Sequence, residues 1–129
     1  MALNPQFAAT PKIGAGALSA ANTARDGSGT LVTVFTAGAN GSRIDYISIQ
    51  ATATTTAGMI RLFLHDGTTA RLAFEIPITA VTPSATIPTF GWGFVPNNGS
   101  GVILPTGWSL RATTEKAEAF QVLAFGGDF

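Results

Sequence analysis

The sequence predicts an all-β protein, an antiparallel β-sandwich of jelly-roll type with about eight strands and an extended N-terminal arm. Three observations favour this fold class. Apolar and polar residues alternate along most of the chain, as they do in strands with one buried face. Clusters of Gly, Asn, Ser and Pro separate the alternating stretches. No stretch of about eleven residues keeps the apolar periodicity of a helix.

Residues 1–25 are predicted to form the arm, and residues 26–129 a single β-sandwich domain. The first segment is rich in Ala and is interrupted by Pro5 and Pro11, which favours an extended, irregular chain. Its apolar anchors are Leu3, Phe7, Ile13 and Leu18. These anchors favour an arm that becomes ordered on a neighbouring subunit, and a frayed terminus is the alternative.

The remaining strands are predicted at residues 30–36, 43–51, 59–64, 71–79, 86–95, 102–104, 108–114 and 119–125. In the hairpin formed by 59–64 and 71–79, Arg61 and Phe63 are expected to face solvent. Opposite residues of the two strands must point to the same side of the sheet. The inward residues have even numbers in both strands, so the numbers of any two paired residues are expected to add up to an even total. The expected pairs are Leu62 with Phe74, Leu64 with Leu72, and Arg61 with Glu75.

Composition limits the classes of function. The chain has 129 residues, no Cys, seven Lys and Arg against seven Asp and Glu, and 11% charged residues. Zero net charge argues against nucleic acid and anionic membrane as partners. With so few charges and a mean hydropathy of +0.33, solubility is expected to depend on hiding surface in an assembly.

Residues that could carry catalysis are sparse. His65 is the one imidazole, and adjacent strand residues such as His65 and Asp66 point to opposite sides. The acidic residues are scattered singly, so no metal-ligand or acid–base pair is recognisable. The sequence therefore predicts no catalytic residues, no metal and no cofactor, and a protein that is not an enzyme.

The most distinctive local pattern is FGWGF at residues 90–94. In a strand it places Phe90, Trp92 and Phe94 on one face and two glycines on the other. Burial of the aromatic face in the core is the favoured interpretation, because three exposed rings would form an adhesive patch. A platform that stacks sugar rings is the functional alternative. The glycine face indicates close approach of other backbone, and a subunit contact is one form of it.

Several stretches resemble a family of small virion structural proteins of tailed bacteriophages. The stretches are ALN (2–4), ATPKIG (9–14), NTARDG (22–27), VFTAG (34–38), TAGMIRLFL (56–64) and AFGGDF (124–129). They are distributed along nearly the whole length of the chain and include no catalytic motif.

The resemblance implies a structural role in the virion, as a capsid decoration or cement protein. Such a protein would assemble as a homotrimer on the lattice of the major capsid protein, at the capsid surface, after synthesis in the host cytoplasm. Two alternatives stay open: a collar, tail or baseplate component, and a glycan-binding module for host recognition that uses Phe90, Trp92 and Phe94.

Overall fold

The computed structural model describes residues 8–129, which form nine strands in two antiparallel sheets packed face to face. The strands are β1 (Thr10–Leu18), β2 (Val32–Thr36), β3 (Ser42–Ala51), β4 (Gly58–His65), β5 (Ala70–Ile78), β6 (Gly91–Phe94), β7 (Val102–Leu104), β8 (Ser109–Thr114) and β9 (Phe120–Asp128). A 3₁₀ turn, Pro96–Gly99, lies between β6 and β7.

The first sheet has the order β1-β9-β3-β6, with β7 also paired to β3, and the second has the order β2-β8-β4-β5. The predicted all-β sandwich is confirmed, and residues 8–129 contain no α-helix. The strand order does not by itself establish a jelly roll, so that connectivity stays a prediction. Over the same residues, no helix combines the length and the apolar character needed to cross a membrane.

The core lies between the two sheets and follows the alternation in the sequence. In β3, Ile47, Ile49 and Ala51 face inward and are buried, as predicted. The opposite sheet contributes Phe35, Ile60, Leu62 and Leu110 to the same cluster. The predicted strand at 86–95 is shorter than expected: only Gly91–Phe94 is a strand, because residues 84–87 close a tight turn through two backbone hydrogen bonds.

The predicted arm requires a correction over part of its length. Residues 10–18 form β1, which pairs along its whole length with β9, from Thr10 opposite Asp128 to Leu18 opposite Phe120. Leu18 is buried in the core, whereas Ile13 is 64% exposed. Complete strand pairing makes this segment part of the sandwich. The other two proposed anchors, Leu3 and Phe7, lie outside the described residues.

The inward face of β1 carries glycines because β2 approaches it closely. A Cβ atom at position 14 would lie 2.9 Å from the Cα of Phe35 and would overlap the carbonyl oxygen of Val34. We expect Gly14→Ala to lower the free energy of unfolding by about 1–3 kcal/mol, the usual cost of overpacking a core. Urea denaturation measures the change. The control is Ala15→Ser on the outward face, and equal losses for both variants would contradict the steric explanation.

The β4–β5 hairpin has the predicted register only in its first part. Arg61 pairs with Glu75 and Leu62 with Phe74, as the even-sum rule requires. A β-bulge between Leu62 and Phe63 then shifts the register, so that Leu64 lies opposite Arg71 and not opposite Leu72. Beyond the bulge the predicted pairing is therefore wrong, because the extra residue changes the sum by one.

The outward residues of β4 are buried, contrary to the prediction. Arg61 is 2% exposed and Phe63 is fully buried. The connection between β1 and β2, residues 19–31, crosses this face of the second sheet. At β8 it is held by a hydrogen bond of 2.8 Å from the backbone N–H of Asn22 to the carbonyl of Thr114. At β5 its residue Gly27 lies against Ala70. Strand β4 lies between these two points, which explains the burial.

A network of four charged side chains joins this crossing segment to the second sheet. Arg61 binds Glu75 at 3.0 Å and Glu115 at 2.6 Å, and Arg25 of the crossing segment binds the same Glu75 oxygen at 2.8 Å. Burial by itself lowers the pKa of Arg61, but the hydrogen bonds and charges of Glu115 and Glu75 outweigh it and raise that pKa. Arg61 therefore stays charged and links β4, β5 and the β8–β9 connection.

A second polar cluster joins the two sheets at the β1 edge. The Asp128 carboxylate accepts hydrogen bonds from the Ser42 hydroxyl (2.5 Å) and from the Lys12 ammonium (3.2 Å). Lys12 also donates to the carbonyl of Thr36 in the opposite sheet. The Ser42 hydroxyl first, and Lys12 second, lower the pKa of Asp128 below its ordinary value of 3.8.

This lowered pKa predicts the pH dependence of stability. The folded state binds a proton at Asp128 less readily than the unfolded state does, so the stabilisation is complete above pH 3.8 and is lost as the pH falls through the lower folded pKa. Glu75 and Asp66 have lowered pKa values too, and act in the same direction. We expect the urea midpoint to fall on acidification below about pH 4, and to fall less in Asp128→Asn. An equally steep fall in that variant would contradict the assignment.

Candidate functional site

The outward side of the first sheet is the surface that stands out, because among the described residues its only charged side chains are Arg43 and Asp45, at one end of β3. We call the uncharged remainder the neutral face. Its residues are Ile13, Ala15 and Ala17 of β1, Gln121, Leu123 and Phe125 of β9, Tyr46, Ser48 and Gln50 of β3, Gly91 and Gly93 of β6, Val95 and Ile103. An antiparallel sheet with one free face normally presents polar and charged residues to water.

The strand register aligns these residues in rows across the sheet. One row contains Ile13, Phe125 and Tyr46, and the next contains Ala15, Leu123 and Ser48. The rings of Tyr46 and Phe125 lie 5.9 Å apart. Ile13 is 64% exposed and Tyr46 40% exposed. The rows therefore present apolar side chains to solvent beside small ones.

The two glycines of β6 make room for the side chains of β3. A Cβ atom at position 93 would overlap the Tyr46 hydroxyl, and one at position 91 would lie 2.6 Å from the Gln50 side-chain oxygen. Gln50 also donates a hydrogen bond to the Phe90 carbonyl at 3.0 Å. The groups that approach this glycine face are therefore side chains of β3 in the same chain, and not other backbone as predicted. They lie over β6 and complete the neutral face at its edge.

The charged residues lie elsewhere in the sandwich. Arg43 and Asp45 border the neutral face at one end, where they form an ion pair at 2.5 Å. The outward side of the second sheet carries Arg61, Glu75 and Arg111. The two outer surfaces thus differ in character: one is charged and partly covered by residues 19–31, and the other is neutral.

The three aromatic residues of FGWGF do not share one environment. Phe90 and Phe94 are half-buried and pack against the core, as the favoured interpretation predicted. Phe94 also contacts Phe74 of the other sheet edge to face, with ring centroids 5.4 Å apart. Trp92 is 53% exposed, and it lies in a groove beside Ile76 and Pro77 of β5. One ring, not three, is freely presented to solvent.

His65 and Asp66 both serve the turn between β4 and β5. The Nδ1 atom of His65 accepts a hydrogen bond from the Gly67 amide at 3.0 Å. Asp66 accepts from the amides of Thr68 and Thr69 at 2.9 and 2.8 Å. The Thr69 bond, followed by the Thr68 bond, lowers the pKa of Asp66. Across residues 8–129, no three His, Asp or Glu side chains are grouped so as to hold a metal ion.

Sequence reasoning did not identify the neutral face as a unit. Of its members, only Ile13 and the two glycines Gly91 and Gly93 were predicted to make contacts, while Tyr46, Leu123, Phe125 and Ile103 were not. The available signal was that the outward positions of three alternating strands lack charge. Comparisons of the chain with protein-family models, curated proteins and solved structures gave no significant match.

Proposed function

We propose that this protein is a structural and not a catalytic component of a tailed-bacteriophage particle. In this proposal it is a homotrimeric capsid decoration protein on the virion surface. It uses the neutral face to contact the major capsid protein lattice. The single observation that carries the proposal is the neutral face itself, an uncharged sheet surface with exposed apolar side chains.

The chemistry of this surface supports a role in protein assembly. Contiguous exposed apolar surface is typical of sites where proteins meet, because it gains free energy when water is removed. The cores of protein interfaces are depleted in charged residues and enriched in aromatic ones. The neutral face has both properties, with Tyr46 and Phe125 as its aromatic residues and the Arg43–Asp45 pair only at its border.

The assignment to a phage particle is supported by the sequence resemblance described above, which spans nearly the whole chain. A collar, tail or baseplate position is the competing assignment within the particle, and it uses the same surface. The two differ in stoichiometry, because a head lattice carries many copies of a decoration protein and a collar or baseplate carries few.

The deciding experiment is therefore the copy number of this chain in purified virions, relative to the major capsid protein, by quantitative mass spectrometry. We expect about one copy per capsid subunit for full occupancy of a lattice by closed trimers. A ratio of a few per cent would assign the protein to the collar, tail or baseplate. Absence of the chain from purified virions would overturn the structural role.

The trimer is tested on the isolated protein. Light scattering after size-exclusion chromatography is expected to give three times the chain mass of 13.2 kDa. A mass of one chain at all concentrations would show that the trimer forms only on the particle or not at all, and would contradict a preformed homotrimer.

A further inference from the structure

Strands β5 and β6 form the edges of the two sheets on one side of the sandwich, and a groove runs between them. Among the described residues, β5 pairs only with β4, and β6 only with β3. One hollow of the groove, about 130 Å³ in volume, is lined by Glu75, Ile76, Pro77 and Trp92. A second hollow continues along β5 and is also lined by Ala73, Phe74 and Phe94.

The chemistry of the groove suits an uncharged, extended peptide. Its walls are apolar apart from Glu75, and one oxygen of that carboxylate is already bound by Arg25 and Arg61. Strand β5 also offers the backbone groups of a sheet edge, which an added strand can bind. Pro77 has no N–H group, so backbone pairing along this edge is expected to end there.

We propose that this groove binds residues 1–7 of a second copy of the chain, with Leu3 and Phe7 as the anchoring side chains. The segment MALNPQF has no charged side chain, and Pro5 biases the residue before it toward extended backbone. Leu3 and Phe7 are four residues apart, so in an extended segment they lie on the same face, about 13 Å from each other. The groove runs past Ala73 to Pro77, also four residues of strand.

The reach of the chain assigns the segment to another copy. The amide of Ala9 binds the carbonyl of Asp128, which fixes the start of β1 at one end of the first sheet. Trp92 lies beside Ile49 and Val122, six residues further along the sheet and three strands across from β1. This separation is about 25 Å. Leu3 is five residues from Ala8 and reaches about 18 Å at most, and Phe7 reaches far less.

The contact is between two different surfaces, a segment on one copy and a groove on the next, so it is heterologous and closes into a ring when the rotation allows. A trimer is one such ring. The proposal does not rest on the virion role, because exchange of the segment between copies is measurable in the isolated protein.

The test uses engineered cysteines, since the chain has no Cys of its own. Full-length Leu3→Cys and Phe7→Cys chains, labelled with ¹⁵N, are each mixed with unlabelled Ala73→Cys chains under mild oxidation. Ala117→Cys is the matched acceptor control, because Ala117 is also an exposed alanine but lies in the β8–β9 connection. Mass spectrometry of disulfide-linked peptides identifies mixed dimers by their isotopes.

We expect at least one of the two donor chains to form a mixed disulfide with Ala73→Cys in several-fold excess over Ala117→Cys. Equal yields with both acceptors would overturn the proposal. The double variant Leu3→Cys, Ala73→Cys is expected to form covalent multimers, and closure of the disulfide within one chain would also overturn it. If soluble glycans quench the tryptophan fluorescence of the wild-type chain but not that of Trp92→Phe, and no preferred cross-link forms, the groove binds sugar and the proposal is wrong.

Discussion

A single lysine at the centre of the neutral face, Ser48→Lys, is expected to weaken strongly the proposed binding to the capsid surface while the sandwich stays folded. Ser48 lies on β3 between Leu123 of β9 and Gly93 of β6. An unpaired charge buried in an interface costs about 2–5 kcal/mol. The dissociation constant is therefore expected to rise by about 30-fold or more. The fraction bound to purified heads measures the effect.

The matched control is Thr68→Lys in the exposed β4–β5 turn, which adds the same charge away from the neutral face. Surface substitutions of this kind usually change the free energy of unfolding by about 0.5 kcal/mol or less. Urea denaturation of both variants separates association from folding. Normal binding by a folded Ser48→Lys protein would exclude the neutral face as the interface.

The second large effect is expected from Arg61→Met, which keeps the buried side-chain stem and removes the charge. Glu115 then loses its 2.6 Å partner, and Glu75 retains only Arg25. Removal of one member of a buried ionic network typically costs about 3–5 kcal/mol. We expect a value near the lower limit, because water reaches both carboxylates. The readout is the urea midpoint at neutral pH.

Arg25→Gln is the control for this network. The Arg25 side chain is 59% exposed, and an exposed ion pair contributes at most about 1 kcal/mol. We therefore expect a loss several times smaller than that of Arg61→Met. Equal losses would show that Arg25, through its hold on residues 19–31, stabilises the fold as much as the buried Arg61 guanidinium does.

Local alternation predicted the sandwich well, because a strand with one buried face must alternate. Its errors come from features that alternation does not encode. The bulge at Leu62 and Phe63 changes the pairing without changing the pattern of either strand. The burial of Arg61 depends on a segment some forty residues away in sequence that crosses the sheet, and the hairpin sequence contains no sign of it.

The same reasoning applies to the candidate site. The low charge content is visible in the sequence and predicts that some surface is hidden. The sequence does not show where that surface lies, because Ile13, Tyr46 and Phe125 become neighbours only through the pairing of β1 and β3 with β9. The FGWGF pattern was likewise only partly informative: the burial of Phe90 and Phe94 follows from alternation, but the exposure of Trp92 depends on the open side of the sandwich.

The position of β9 in the middle of the first sheet also determines the order in which the protein matures on the ribosome. Strands β1 and β3 both pair with β9, whose residues 120–128 are synthesised about a hundred residues after β1. Contacts between such distant segments slow folding. The nascent chain must hold β1 and β3 unpaired on that side until β9 emerges. During synthesis the unpaired edges of β1 and β3 are the part of the chain most prone to aggregation, and the part where chaperone binding would protect it most.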